Sequence, residues 1–215
     1  GLTRDVTLVE MPSTFISDYF IQLEKGSKNR IKGYIQLNGS NKAGQAVTLE
    51  IIGTRLKQKL KTDNSGRAVV DVSIKKLKLW SPDHPFLYAV SISTDEEIVH
   101  DQIGFRTIAT EGQNILLNGE SIFLRGISIH EENPIRGGRA YSMDDSRLLL
   151  GWAKELGCNY VRLAHYPHNE NMVRLADEMG ILVWEENPVY WTISWENIMT
   201  YATAQQQLSE LISRD

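Results

Sequence analysis

The residues best suited to chemistry in this chain sit at the ends of short apolar runs. Asn159-Tyr160-Val161-Arg162-Leu163-Ala164-His165-Tyr166-Pro167 is strand-like, with an arginine in its middle and a histidine at its end. An X-Pro step then breaks the run. Ile181-Leu182-Val183-Trp184 leads into Glu185-Glu186, and a run from Ile122 to Ile129 leads into His130-Glu131-Glu132. Three strands finishing on ionisable side chains are what a (β/α) barrel uses to assemble an active site at its strand carboxyl ends. His130, Glu131, Glu185 and His165 also have the ligand types of a Zn or Mn site. The paired His-x-His type of spacing that such sites favour is missing, so no metal is expected.

The elements that position these residues have their own signals. Ser142 and Asp145 resemble a capping box, followed at helical spacing by Leu148, Leu149, Trp152, Ala153 and Leu156, with Gly157 as the stop. A second helix should bury Met172, Val173, Ala176 and Met179 and end at Gly180. A third, from about Asn197, should turn Tyr201, Ala204, Leu208, Leu211 and Ile212 inward. Strand–helix alternation predicts a parallel sheet with right-handed crossovers, and three βα units leave an eight-stranded barrel incomplete. The first half alternates with period two instead: Ile31, Ile35 and Leu37; Val47, Leu49 and Ile51; Ala68, Val70, Val72 and Ile74; Tyr88, Val90 and Ile92. Turn clusters rich in Gly, Asn, Ser and Pro divide these runs. The pattern predicts an immunoglobulin-like antiparallel sandwich of about seven strands. The expected division is 1–110 for the sandwich and 111–215 for the first part of a TIM barrel. Ile115 to Leu124 should form a hairpin turning at Asn118-Gly119.

Composition narrows the class. A net charge of −4 over 215 residues argues against nucleic-acid binding, and no apolar segment reads as a membrane span or signal peptide. The compartment stays open between bacterial cytoplasm and periplasm. Lys57, Lys59 and Lys61, and Lys75, Lys76 and Lys78, read as solvated or edge-protecting strand faces. The single cysteine, Cys158, reads as a small core residue.

The run from Asn159 to Trp184, completed by Asp177 and Gly180, resembles the signature of glycoside hydrolase family 2, the family of β-galactosidases, β-glucuronidases and β-mannosidases. Leu163 departs from it, since a small residue is usual there. Arg125-Gly126-Ile127-Ser128-Ile129-His130-Glu131 is similar to the family's first-strand motif, with Ser128 replacing asparagine. Leu79 to Tyr88 and Gly104-Phe105-Arg106 look like the end of its sandwich domain. Gly1 to Val6 looks like the linker leaving its jelly roll. The resemblance implies a retaining β-glycosidase in which His130 and His165 contact the sugar and Arg162 supports the nucleophile carboxylate. It implies no cofactor, and the magnesium site of some members is not carried over, because Tyr190 and Thr192 stand in the corresponding stretch. Glu186 is read as a structural carboxylate at the site rim. Trp191 and Trp195 are left between sugar-facing rim and packing, Glu131 and Glu132 between site and loop surface.

Retaining hydrolysis needs two carboxyl groups facing each other ~5–5.5 Å apart. Neighbours on a strand point to opposite faces, so neither Glu131/Glu132 nor Glu185/Glu186 supplies that pair. Both catalytic glutamates of the family would lie beyond residue 215. The chain is therefore expected to be a piece of a longer enzyme, inactive alone and prone to self-association through exposed barrel edges and the apolar inner faces of Val161, Leu163 and Val183. A non-catalytic carbohydrate-binding or scaffold protein of the same architecture is the alternative. Strict alternation also sets Arg162 and His165 on opposite faces, so one shared site requires a bend near Ala164.

Overall fold

The computed structural model describes residues 6–215, so the expected linker from Gly1 to Val6 lies, except for Val6, outside the described residues. The described chain divides into two compact units, Val6–Phe123 and Leu124–Asp215.

The first unit opens with a sandwich of seven strands: β1 (Thr14–Leu23), β2 (Arg30–Gly39), β3 (Ala46–Ile51), β4 (Leu56–Lys61), β5 (Arg67–Ser73), β6 (Tyr88–Ser93) and β7 (Ile98–Ile103). They form two antiparallel sheets, ordered β1-β2-β5 and β4-β3-β6-β7. The inward positions are those that the alternation predicts: Ile31, Ile35, Leu37, Val47, Leu49 and Ile51 are wholly buried. Val70, Tyr88, Val90 and Ile92 join them in one core. Each such aliphatic side chain contributes ~1.5–3 kcal/mol by leaving water. Strand β1 does not show a clean period of two, because its register shifts between Ile16 and Asp18. Lys57, Lys59 and Lys61 are exposed on β4, an edge strand, as expected. Lys75 and Lys76 instead lie in the turn after β5, where Lys76 takes a left-handed φ of 60°, and Lys78 lies in the irregular stretch that follows.

Three short strands follow, β8 (Ile108–Glu111), β9 (Asn114–Leu117) and β10 (Glu120–Ser121), in an antiparallel sheet. Asn118 and Gly119 turn between β9 and β10 with φ of 56° and 87°, the left-handed pair that a tight hairpin requires. The Asn118 side chain accepts from the Thr107 backbone N–H at 3.0 Å and donates to the Trp80 carbonyl at 2.9 Å. Trp80 is wholly buried under the Arg106 guanidinium.

The second unit has three parallel strands, β11 (Gly126–Ile129), β12 (Tyr160–Leu163) and β13 (Leu182–Glu185). Helices α1 (Met143–Glu155) and α2 (Glu170–Met179) connect them, and α3 (Ile198–Arg214) follows β13. Ser142 and Asp145 form the expected capping box, and Gly180 ends α2 at φ 73°. The core joins Ile129, Val161 and Leu163 to Leu149, Leu150, Ala153, Met172, Leu175 and Ala176.

The packing corrects three expectations. On α1, Leu150 points inward while Trp152 and Leu156 are exposed. On α3, Leu211 is buried, but Tyr201, Leu208 and Ile212 are exposed. Val161 and Leu163, expected on the open inner face of the barrel, are wholly buried in the core shared with the helices. Alternation gives the opposite face to the row Ser128, Arg162 and Trp184, which are in register across the three strands. Among the described residues, the outer edges of β11 and β13 pair with no further strand.

Candidate active site

The carboxyl end of β12 holds the centre of the site. Arg162 lies on the face away from the core. Its Nε donates to Glu186 Oε1 at 2.6 Å and its Nη2 to Glu186 Oε2 at 3.0 Å. Parallel double contacts of this kind fix the geometry as well as the charge. Two of the five guanidinium N–H groups are thereby used, and Nη1 reaches only weakly towards Ser128 Oγ, at 3.5 Å.

Two residues beyond Leu163 the chain bends. His165 adopts φ 74°, a left-handed conformation that is uncommon outside glycine. The bend required for one shared site is therefore present, at His165 itself. The His165 backbone N–H donates to Glu186 Oε2 at 2.8 Å, and its ring Nδ1 lies 3.5 Å from the same oxygen. One carboxylate thus holds both Arg162 and the bent backbone. Burial alone would push the Glu186 carboxyl up. The Arg162 guanidinium, then the His165 N–H, outweigh that and hold it below the ordinary range. Glu186 joins β12 to the end of β13, as its structural reading expects, and it lies inside the cluster that contains His165.

Around this joint the aromatic rings form a row. His130, at the end of β11, has its ring centroid 5.3 Å from that of His165. Tyr166 lies 6.2 Å from His130 and stacks on His168 at 5.2 Å. On the other side Tyr190 stacks on His165 at 4.7 Å, with planes 19° apart. The structure thus brings His130, His165, Arg162 and Glu186 together. Trp191 adjoins the group through Tyr190, with centroids 6.4 Å apart. Trp195 packs edge-on against Tyr201 at the start of α3.

The remaining carboxylates are engaged elsewhere. Glu131 is almost wholly buried, so loop surface is the wrong description for it. Its carboxylate accepts from Arg139 Nη2 at 2.5 Å and from the Asn169 backbone N–H. Its backbone N–H donates to the Tyr166 hydroxyl at 3.3 Å. Glu132 is exposed. Glu185 falls in register with Leu163, on the core-facing side of the sheet. Burial, reinforced by the Asp215 carboxyl, pushes Glu185 up to about 8, and Arg214 at 3.5 Å only partly opposes this. Among the described residues no three His, Cys, Asp or Glu side chains converge as metal ligands would.

The loop after β11 is held by pairs that sequence spacing did not reveal. Asp145 accepts from Arg136 Nη2 at 2.5 Å, Asn133 Nδ2 at 2.7 Å and the Tyr141 N–H at 3.0 Å. The Arg136 guanidinium leads these in holding the Asp145 carboxyl well below the usual range. Each guanidinium near the site, at 136, 139 and 162, therefore already faces a carboxylate. Tyr190 and His168 are the rings of the row that no strand-end signal in the sequence marks.

Comparison with known proteins accounts for both units. The family pattern described as Glycosyl hydrolases family 2 matches residues 14–106, and that described as Glycosyl hydrolases family 2, TIM barrel domain, matches residues 108–211. A β-galactosidase of Thermoanaerobacter pseudethanolicus is 31% identical, over 100% of this chain and 30% of its own length. A β-glucuronidase of Paenibacillus borealis is 28% identical, over 100% of this chain and 38% of its own. The crystal structure of a β-galacturonidase from Eisenbergiella tayi bound to glycerol superposes with a TM-score of 0.77 and 28% identity. It covers 95% of this chain and 38% of that one. The chain thus spans well under half of the length of these relatives. Sandwich, parallel βα units and the strand-end cluster around His165 all fall within the two matched regions, and the chain belongs to glycosyl hydrolases family 2.

Proposed function

We propose that these residues form the sugar-contacting part of a retaining β-glycosidase, and that the 215 residues do not turn over substrate by themselves. The observation that carries this reading is the cluster on Glu186, which fixes Arg162 and His165 beside His130 at the carboxyl ends of neighbouring parallel strands. That is the end of a barrel where substrates bind. The two imidazoles, 5.3 Å apart, suit adjacent hydroxyls of one sugar ring. Arg162 keeps Nη1 for a second carboxylate, the nucleophile, whose ionised form a neighbouring cation favours.

The same geometry supports inactivity of the chain alone. Glu186 is ionised and holds Arg162 with both oxygens, Glu131 is buried against Arg139, and Glu185 lies on the core-facing side. None of them faces another carboxyl across an open gap of ~5–5.5 Å. The substrate reading is a β-linked galactoside, glucuronide or related hexoside, after the activities named for the relatives.

The test is a panel of aryl β-glycosides, assayed with the protein expressed from its complete reading frame and with the 215-residue chain. Release of aglycone with retention of configuration by the former, and none by the latter, is expected. Hydrolysis by the purified 215-residue chain would overturn the assignment of its carboxylates. Absence of any glycosidase activity from the complete reading frame would favour a carbohydrate-binding protein.

A further inference from the structure

The loop that follows β13 places an aromatic corner beside His165. Tyr190 lies face to face with the imidazole. Trp191 comes next, with its indole inclined 58° to the Tyr190 ring and 90% exposed. Its backbone is left-handed, with φ 63°, which for a bulky residue is a genuine outlier. Exposing an indole also forgoes one of the largest apolar burials that a side chain can offer. Two unfavourable features thus meet at one residue, beside the tyrosine that stacks on His165, and local strain of this kind concentrates at ligand clamps.

The other exposed aromatics of this unit lack that combination. Trp195 rests edge-on against Tyr201, and Trp152 lies on a regular helix. The loop is also anchored. The Val189 N–H donates to the Asn187 carbonyl at 2.7 Å, and Asn187 Nδ2 donates to the Ala204 carbonyl on α3 at 2.9 Å. The corner is therefore built on a braced segment.

We infer that Tyr190 and Trp191 form a platform for the C–H face of a pyranose ring, in a glycoside whose hydroxyls meet His165. This rests on the reading of His165 given above. A pyranose carries its hydroxyls around the rim and axial C–H bonds on its faces. Those weakly positive hydrogens suit the negative face of an aromatic ring. Imidazole and phenol are held parallel, so a sugar bound by His165 hydrogen bonds would lie beside the indole. The platform would thereby set which sugar face is presented to the strand ends. All charged groups at the cluster are already paired, so apolar contact is the additional recognition that this loop can supply.

The experiment is ¹⁹F NMR of the 215-residue chain labelled with 5-fluorotryptophan, whose five tryptophans give separate probes. Methyl β-D-galactopyranoside and methyl β-D-glucopyranosiduronate are titrated, both without an aryl group, so that only a sugar can stack. A saturable shift of the Trp191 signal is expected, with Trp152 on α1 unmoved. Tyr190→Ala should weaken the apparent affinity by about fivefold. The His165→Ala variant separates the two claims. A weaker apparent affinity in Tyr190→Ala together with a weakened or lost shift in His165→Ala supports platform and site together. A Trp191 shift that survives His165→Ala but falls in Tyr190→Ala upholds the platform and contradicts the role of His165. No saturable Trp191 shift with either sugar, or one indifferent to Tyr190→Ala, overturns the platform.

Discussion

At the scale of single residues, His165 joins backbone strain to chemistry. Its left-handed φ of 74° is stabilised by the N–H bond to Glu186 and by the stack on Tyr190. A non-glycine residue there costs roughly 1–2 kcal/mol, so the fold would be at least as stable with glycine. We expect His165→Gly to leave stability to urea unchanged, or to raise it by about 1 kcal/mol. A loss of more than about 2 kcal/mol would mean that imidazole packing, rather than the site, dictates the residue. The sequence showed that Arg162 and His165 must share a site only if the strand bends, and period-two alternation alone located that bend near Ala164. It could not show that Glu186 provides the hinge point, because the three residues meet only once β12 and β13 are paired. Glu131 was illegible for the same reason: Arg139 and Asn169 reach it from separate segments.

At the scale of elements, strongly periodic runs were readable and their partners were not. The inward alternation of β2, β3, β5 and β6 holds residue by residue, since one face of each strand is buried. Strand β1 escaped because its register shift breaks the period. Helix α1 was recognisable from its capping box, yet its buried face is rotated towards Leu150, which apolar spacing alone could not distinguish from Trp152. The contact of β13 with α3 carries a titration. Glu185 is pushed up to about 8 against an unfolded value of about 4.3. A raised carboxyl favours the folded state in its protonated form. That stabilisation is complete below about pH 4 and is lost as the pH rises towards about 8. Urea denaturation of the Leu124–Asp215 unit should therefore show stability falling across this interval, and Glu185→Gln should flatten the slope. An unchanged slope in the variant would assign the pH dependence to other groups.

At the scale of the whole molecule, the two units differ in how completely they cover themselves. The sandwich encloses its core between two sheets. In the other unit the outer edges of β11 and β13 are unpaired among the described residues, and Trp184, Ile198, Met199 and Ile212 are more than half exposed. Open edges and apolar surface favour association. Sedimentation of the 215-residue chain should show concentration-dependent oligomers, whereas a monomer at all concentrations would contradict this. The family signature made the architecture legible from sequence. The substrate was not legible, because every guanidinium beside the cluster is already paired with a carboxylate, leaving no charge pattern from which to choose a sugar. The central claim is that the His165 cluster serves glycoside hydrolysis. It is tested most directly by kcat/KM of the protein expressed from its complete reading frame, with and without His165→Ala. Alanine shares the histidine's reluctance to adopt a left-handed φ, so the change isolates the imidazole. A fall of more than ~10²-fold, about 2.7 kcal/mol, with folding intact is the predicted result. A change of less than about threefold would contradict the account.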